Sequence, residues 1–239
     1  MKNYKLSFFY LFTLLIIACS EEDPVIEYVI VTETVTETNT DEVDPFADST
    51  LEGNITEDKT LDGSKIWLIK GRVSVTDGTT LTIPAGTIIK AASGTGADAS
   101  TLIVARGGKI IANGTADNPI IMTAAADNIE VGGTYPESGP ALNVDTRGLW
   151  GGLLILGKAP CSFKSDVTEL QIEGIPTSDT NGLYGGSVAD DNSGSFQYIS
   201  IRHGGAEIGE GNEINGLTLG GVGSGTTINQ IEVVGNVDD

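Results

Sequence analysis

From Leu51 onward, apolar residues come in short pairs at period two, divided by Gly, Asn and Asp. Examples are Ile66-x-Leu68, Val73-x-Val75, Leu81-x-Ile83, Leu102-x-Val104, Leu154-x-Leu156, Ile199-x-Ile201, Leu217-x-Leu219 and Ile231-x-Val233. No stretch keeps apolar residues at i, i+3, i+4 and i+7 without a Gly or Pro breaking it, so the pattern predicts brief strands and no helix.

The strands share a frame, apolar-x-apolar-x-x-Gly followed by further apolar residues. Thr80–Ile89 aligns with Thr101–Ile111 at an offset of 21 residues, and Ile199–Ile208 gives a third copy. A Gly-punctuated strand repeat of this length predicts a solenoid in which Leu81 and Leu102 lie one above the other. Each strand would send alternate side chains inward, and Gly would let the chain turn at positive φ. Asn113 and Asn118 suit such turns. The competing fold is a β-sandwich, for which Asn113-Gly114, Asn181-Gly182 and Asn215-Gly216 are hairpin signals. Residues 127–148 and 160–194 are polar and weakly patterned; in a solenoid they are loops bulging from one side, where a binding face is often built.

The first fifty residues have a different character. Lys2 and Lys5 precede an apolar run, Leu6–Ala18, that would rise only about 20 Å as a helix. That is too short for a membrane span and fits a signal-peptide core. The run closes on Ile16-Ile17-Ala18-Cys19, which resembles the lipobox of bacterial lipoproteins. The resemblance implies cleavage after residue 18 and a lipid on Cys19, where two or three acyl chains at about 0.8 kcal/mol per CH₂ anchor stably. The alternative is an ordinary signal peptide with a chance cysteine. Ser20-Glu21-Glu22-Asp23 is similar to the acidic signal that sends some lipoproteins to the outer face of the outer membrane, facing the cell exterior. Residues 19–50 contain Val31-Thr32-Glu33-Thr34-Val35-Thr36-Glu37-Thr38 and read as a disordered acidic tether with a reach on the order of 30 Å. The β-helix domain then runs from 51 to 239. It stops directly after an apolar strand where a polar cap is expected, so a truncated C-terminus is predicted.

Charge narrows the partners. Thirteen Lys and Arg stand against 33 Asp and Glu, a net −20 that cleavage before Cys19 would deepen to −22. Such a chain repels phosphate backbones, which excludes nucleic acid, and it repels anionic headgroups, so the membrane contact must come from the lipid. If Cys19 carries lipid, Cys161 has no disulfide partner and is expected as a buried free thiol.

Gly107–Ala124 and Gly148–Ala159 resemble coils of right-handed parallel β-helix proteins, a surface lipoprotein family of bacteria whose members mostly lack an assigned activity. The resemblance spans about Ile66 to the end and implies an all-β, right-handed parallel β-helix. Enzymes on this scaffold use clustered carboxylates, with calcium and a basic residue in the lyases. The candidates here are Asp190-Asp191, Asp238-Asp239 and Arg202-His203. Asp190-Asp191-Asn192-Ser193-Gly194 is oxygen-rich and could hold Ca²⁺, but lacks the spacing of an EF-hand. His203 and Arg202 align with Ala85 and Arg106, and with Pro84 and Ala105, which suggests a solvated turn slot and a structural or solvent-facing role for both. Trp67 and Trp150 sit among apolar residues and are expected to pack, whereas Tyr135 and Tyr184 lie in the two long loops and are the sugar-stacking candidates. Thr79, Thr80, Thr82 and Thr87 hint at a threonine-bearing face that other coils do not repeat. The expectation is a non-catalytic surface lipoprotein that displays a binding or adhesion module for a glycan or a surface protein. It has no cofactor beyond that calcium candidate. The alternatives are a polysaccharide lyase or glycoside hydrolase, and a structural stalk.

Overall fold

A computed structural model describes residues 45–133, 142–209 and 212–237. Cys19, Ser20, Glu21, Glu22, Asp23 and the tether up to residue 44 lie outside the described residues, as do Tyr135, Asp238 and Asp239.

The chain winds round three sides. The first coil is β1 (Thr50–Ile55) and β2 (Lys59–Thr60); the second is β3 (Ile66–Val75) and β4 (Thr80–Ile83). The third is β5 (Ile88–Ala91), β6 (Thr101–Val104) and β7 (Lys109–Asn113). The fourth opens with β8 (Ile120–Ala124) and β9 (Gly152–Leu156). A long insertion carrying β10 (Leu170–Gln171) and β11 (Leu183–Tyr184) follows. Then β12 (Gly194–Arg202) closes the fourth coil and starts the fifth. The fifth continues through β13 (Glu207–Gly209), β14 (Asn212–Glu213), β15 (Leu217–Gly220) and β16 (Thr227–Val234). Every ladder of the large sheet is parallel. The two antiparallel pairs, β10 with β11 and β13 with β14, belong to excursions from it. That removes the sandwich alternative.

Sheet 1 stacks the first half of β3 on β5, β8 and the second half of β12. Sheet 2 stacks the second half of β3 on β6, β9 and β15. Sheet 3 stacks β2, β4, β7 and the first half of β12. β3 rounds its corner at Gly71 (φ 62°) and β12 rounds another at Tyr198 (φ 50°). A residue in the left-handed region redirects a strand without ending it, at little cost for Gly and about 1–2 kcal/mol for Tyr.

Inward columns fill the core. Trp67, Ile89, Met122 and Ile201 stack on sheet 1; Val73, Leu102 and Leu153 on sheet 2; Ile83, Ala112 and Phe196 on sheet 3. All are buried in one cluster. Burying each large side chain contributes about 1.5–3 kcal/mol, but only once a neighbouring coil covers it.

The coil register differs from the 21-residue expectation. Leu81 stacks on Ile110 in sheet 3, whereas Leu102 lies between Val73 and Leu153 in sheet 2. The shared frame is a corner, strand–turn–strand, and the three copies sit at three different corners.

The loops also depart from expectation, because they cover two sides of the coil instead of bulging from one. Outside sheet 1, Ile129 packs on Ile88, Ile121 and Ile66. Outside sheet 2, Ile175 from the insertion and Ile214 beside β14 pack on Ile103, Leu154 and Leu156. Arg72 pairs with Asp179 at 3.3 Å, and Asn181 donates to Asn54 at 3.1 Å, latching the insertion to the coils.

The sheet 1 cover buries Lys90, which donates to the carbonyl of Asp127 at 2.6 Å. Asp127 in turn accepts from Thr123 Oγ1 at 2.7 Å. Desolvation pushes Lys90 below the usual lysine value of 10.5, opposed by the charges of Asp127 and Glu130. Folding therefore releases a proton between the depressed value and 10.5, and stability rises with pH across that window. The chain should gain stability relative to Lys90→Met as pH is raised toward 10.5, measured by chemical denaturation of both proteins at each pH. A constant difference between the two would contradict this.

Candidate functional site

Sheet 3 is the side on which no second hydrophobic cluster is laid, among the described residues. Its outward positions follow from alternation. In β4, β7, β12 and β16 the inward set is Leu81, Ile83, Ile110, Ala112, Phe196 and Ile228, which leaves the intervening side chains facing solvent. The register aligns Thr60, Thr82, Ile111, Ser195 and Thr227 in one outward column, and Asn113, Gln197 and Asn229 in the next. Successive members of a column are about 4.8 Å apart. Side chains are bonded across the columns. Ser195 Oγ donates to Asn113 Oδ1 at 2.6 Å, and Gln197 Nε2 donates to Asn113 Oδ1 at 3.1 Å and to Ser195 Oγ at 3.0 Å. Hydroxyls and amides each offer donors and acceptors, so the face can exchange bonds with a polar, uncharged ligand. In a chain of net −20, these two columns carry no charge.

An open groove of about 490 Å³ runs along the corner between sheets 2 and 3, lined by Asp77, Thr80, Lys109, Lys158 and Asp190 among others. Lys158 reaches across to Asp77 at 3.0 Å. Beside it Arg106 pairs with Glu169 and donates to the carbonyl of Gly185 at 3.2 Å. Asn192 accepts from Gly194 N at 2.8 Å and fixes the entry into β12.

The structure separates the predicted residues. Asp190 is exposed at the groove rim, while Asp191 is buried beside Ser193, whose Oγ donates to it at 3.4 Å. Arg202 and His203 lie at the other end of β12, at the corner from sheet 1 to sheet 2. The four do not meet in one groove. Nor is the Arg202-His203 turn solvated: His203 is only 4% exposed at φ 61°, its Nδ1 is 2.7 Å from the carbonyl of Thr146, and its N–H donates to the carbonyl of Val234. The chain from 142 to 149 crosses this corner and shuts water out. Trp150 completes the lock, donating through Nε1 to the carbonyl of Arg202 at 2.7 Å.

Trp67 and Trp150 are buried, as their apolar surroundings predicted. Tyr184 is half-buried, edge-on to Phe163 at 5.4 Å and seated over Gly220, so part of its ring is already committed. Cys161 is a free thiol, but half-buried rather than buried, because it lies in the insertion and not in a coil. Of the threonines, Thr80 and Thr82 face outward on sheet 3, whereas Thr79 and Thr87 are buried. Among the described residues, no three Asp, Glu, His or Cys side chains converge as a metal site. Sequence reasoning missed the sheet 3 face. Its signal was present as Thr80-x-Thr82, Ser195-x-Gln197 and Thr227-x-Asn229, but these stack only in the true register.

Three parallel sheets, a packed core and corner turns define a right-handed parallel β-helix. The family model for a pectate-lyase-like beta helix domain matches residues 53–239, and the chain belongs to that family. Neither the curated proteins nor the solved structures give a match to the chain.

Proposed function

We propose that the protein is a non-catalytic module for a neutral glycan, displayed at the cell exterior by a lipid on Cys19. The observation that carries this reading is the outer face of sheet 3, which bears no second apolar cluster among the described residues and presents the mutually bonded Asn113, Ser195 and Gln197 beside an open groove. Sugars present the same mixture of donors and acceptors, and exposed side chains bind them at small cost in ordering because the strands already fix their spacing. The net charge of −20 argues for a neutral polymer over an acidic one. The reading needs no cofactor, so calcium or a chelator should leave affinity unchanged. Binding of the purified chain to neutral and uronate-rich polysaccharides, followed by calorimetry, tests it. The double variant Asn113→Ala with Ser195→Ala should bind the neutral polymer about tenfold more weakly, at about 0.5–1.5 kcal/mol per lost bond, with melting little changed. Equal affinity in wild type and variant would remove sheet 3 from consideration.

Attachment to the outer membrane rests on Ile16-Ile17-Ala18-Cys19 and the acidic Ser20, Glu21, Glu22 and Asp23. Among the described residues no helix is long and apolar enough to cross a membrane. Cells fed an alkyne-tagged fatty acid should label the chain, and Cys19→Ala should abolish the label and release the protein from the membrane fraction. Labelling that survives the substitution contradicts this.

A second reading follows from the groove, where Asp77 and Asp190 stand near Lys109 and Lys158. A lyase or glycosidase on this scaffold would place its acid and base there. New reducing ends or unsaturated products from a polysaccharide, lost in Asp190→Asn, would favour it; binding without cleavage favours the display module.

A further inference from the structure

The amide column of sheet 3 ends at the corner where β12 turns toward sheet 1. The residues flanking that corner point inward, Phe196 before it and Ile199 after it, and both are buried in the core. Between them Gln197 faces outward beside Asn113, and Tyr198 makes the turn at φ 50°. Tyr198 is half-buried. Among the described residues, however, its ring joins none of the three apolar clusters and lies against no other ring, and its hydroxyl has no hydrogen-bond partner. Such a corner does not need a tyrosine. β3 makes its own with Gly71 at φ 62°, and glycine adopts the left-handed conformation without the clash that a Cβ brings. The coil beneath keeps Tyr198 in place. Gly114 N–H donates to the carbonyl of Gln197 at 2.8 Å, and a Cβ on Gly114 would come within 2.5 Å of the carbonyl oxygen of Tyr198. A strained residue held by its neighbours, with a side chain that the core does not use, points to a role in binding.

A neutral sugar asks for more than a polar ladder. Its hydroxyls exchange water for protein at little net gain, whereas its C–H faces gain from an apolar plane. Trp67, Trp150 and Phe196 are buried and Tyr184 is edge-on to Phe163, so Tyr198 is the aromatic that borders the ladder. Its Cα is about 3.8 Å from that of Gln197, close enough for ring and amide to share one sugar unit. On the reading that sheet 3 binds a neutral glycan, we propose that Tyr198 is its specificity-determining residue. The ring stacks on the C–H face of a pyranose whose hydroxyl edge bonds to Asn113 and Gln197. A close stack needs a sugar face clear of hydroxyls. The ligand class is therefore a β-linked polymer with its hydroxyls equatorial, as in a β-glucan. An axial hydroxyl, as in a β-mannan, props the ring away.

Calorimetry of the full chain with cellohexaose and mannohexaose tests the proposal. Wild type should bind cellohexaose about tenfold more tightly. Tyr198→Phe should keep both the affinity and the preference. Tyr198→Asn, a residue that tolerates the left-handed turn, should bind cellohexaose about tenfold more weakly and lose the preference, with melting unchanged. Cellohexaose should also perturb the tyrosine ultraviolet spectrum of the wild type, and Tyr198→Phe should remove that signal. Equal affinity of the wild type for the two sugars would overturn the proposal. So would a Tyr198→Asn variant that melts lower and loses both sugars alike, which would make the ring structural. If Asn113→Ala with Ser195→Ala weakens binding while Tyr198→Asn does not, the sheet 3 reading stands and this inference fails. If neither variant changes the affinity, or neither sugar binds, both fall together.

Discussion

Gly194→Ala should cost about 4 kcal/mol or more and lower the melting temperature by about 8–16 °C, given about 2–4 °C per kcal/mol for a domain of this size. Gly194 opens β12 on the inward column that holds Leu81 and Ile110, and its φ is 116°. A side chain there is strained by its backbone, and its Cβ would lie 1.9 Å from the carbonyl oxygen of Ile110. That oxygen belongs to β7 and cannot turn aside, so the ladder between β7 and β12 must part. Gly71→Ala is the matched control. Its φ is 62°, but nothing lies within 4 Å of the added Cβ. It should lose only the conformational cost of about 1–2 kcal/mol. Thermal denaturation of the two variants separates strain from collision. Equal losses would mean that β7 and β12 are not in contact at Gly194.

The same contact explains what the sequence could and could not say. Alternation identified many inward pairs, since Leu81, Ile83, Leu102, Val104, Ile199 and Ile201 all enter the core and both tryptophans pack as their neighbours implied. It misplaced Leu154-x-Leu156 and Ile66, which face outward beneath the covering loops while Leu153, Ile155 and Trp67 point in. What alternation lacks is the identity of the coil above. Ile66 stacks on Ile88, 22 residues on, yet Leu81 stacks on Ile110 after 29 and Leu102 on Leu153 after 51. Insertions are accommodated wherever the chain leaves a sheet and returns to it, so no fixed period survives. The local frame, by contrast, recurs because every corner makes the same demand on the backbone. Aligning frames therefore matched corners and not coils. The solvated slot expected at His203 fails for that reason, and of the two roles the structural one holds: its slot is common to three corners, but only at its own does the chain from 142 to 149 come across and bury it. The polar ladder on sheet 3 was hidden by the same lost register, since Asn113 and Gln197 are 84 residues apart and become neighbours only when β7 meets β12.

Stacking across that gap also makes a sharp energetic prediction. Phe196 and Ala112 are register partners on the inward side of sheet 3, both buried, one large and one small. Phe196→Ala should cost about 3–5 kcal/mol, because it removes a ring and leaves a cavity walled by rigid strands. Ala112→Phe should cost about 1–3 kcal/mol by overpacking the same space. Together they return a ring to the column one coil earlier, at a displacement of about 4.8 Å, and the cavity of one becomes the room of the other. The double variant should therefore be more stable than the sum of the two losses by at least about 1 kcal/mol, read from chemical denaturation of all four proteins. Residues so far apart in sequence have no local route to such coupling. Strict additivity would mean that the two side chains do not share a column and that the coil register is wrong at the centre of the core.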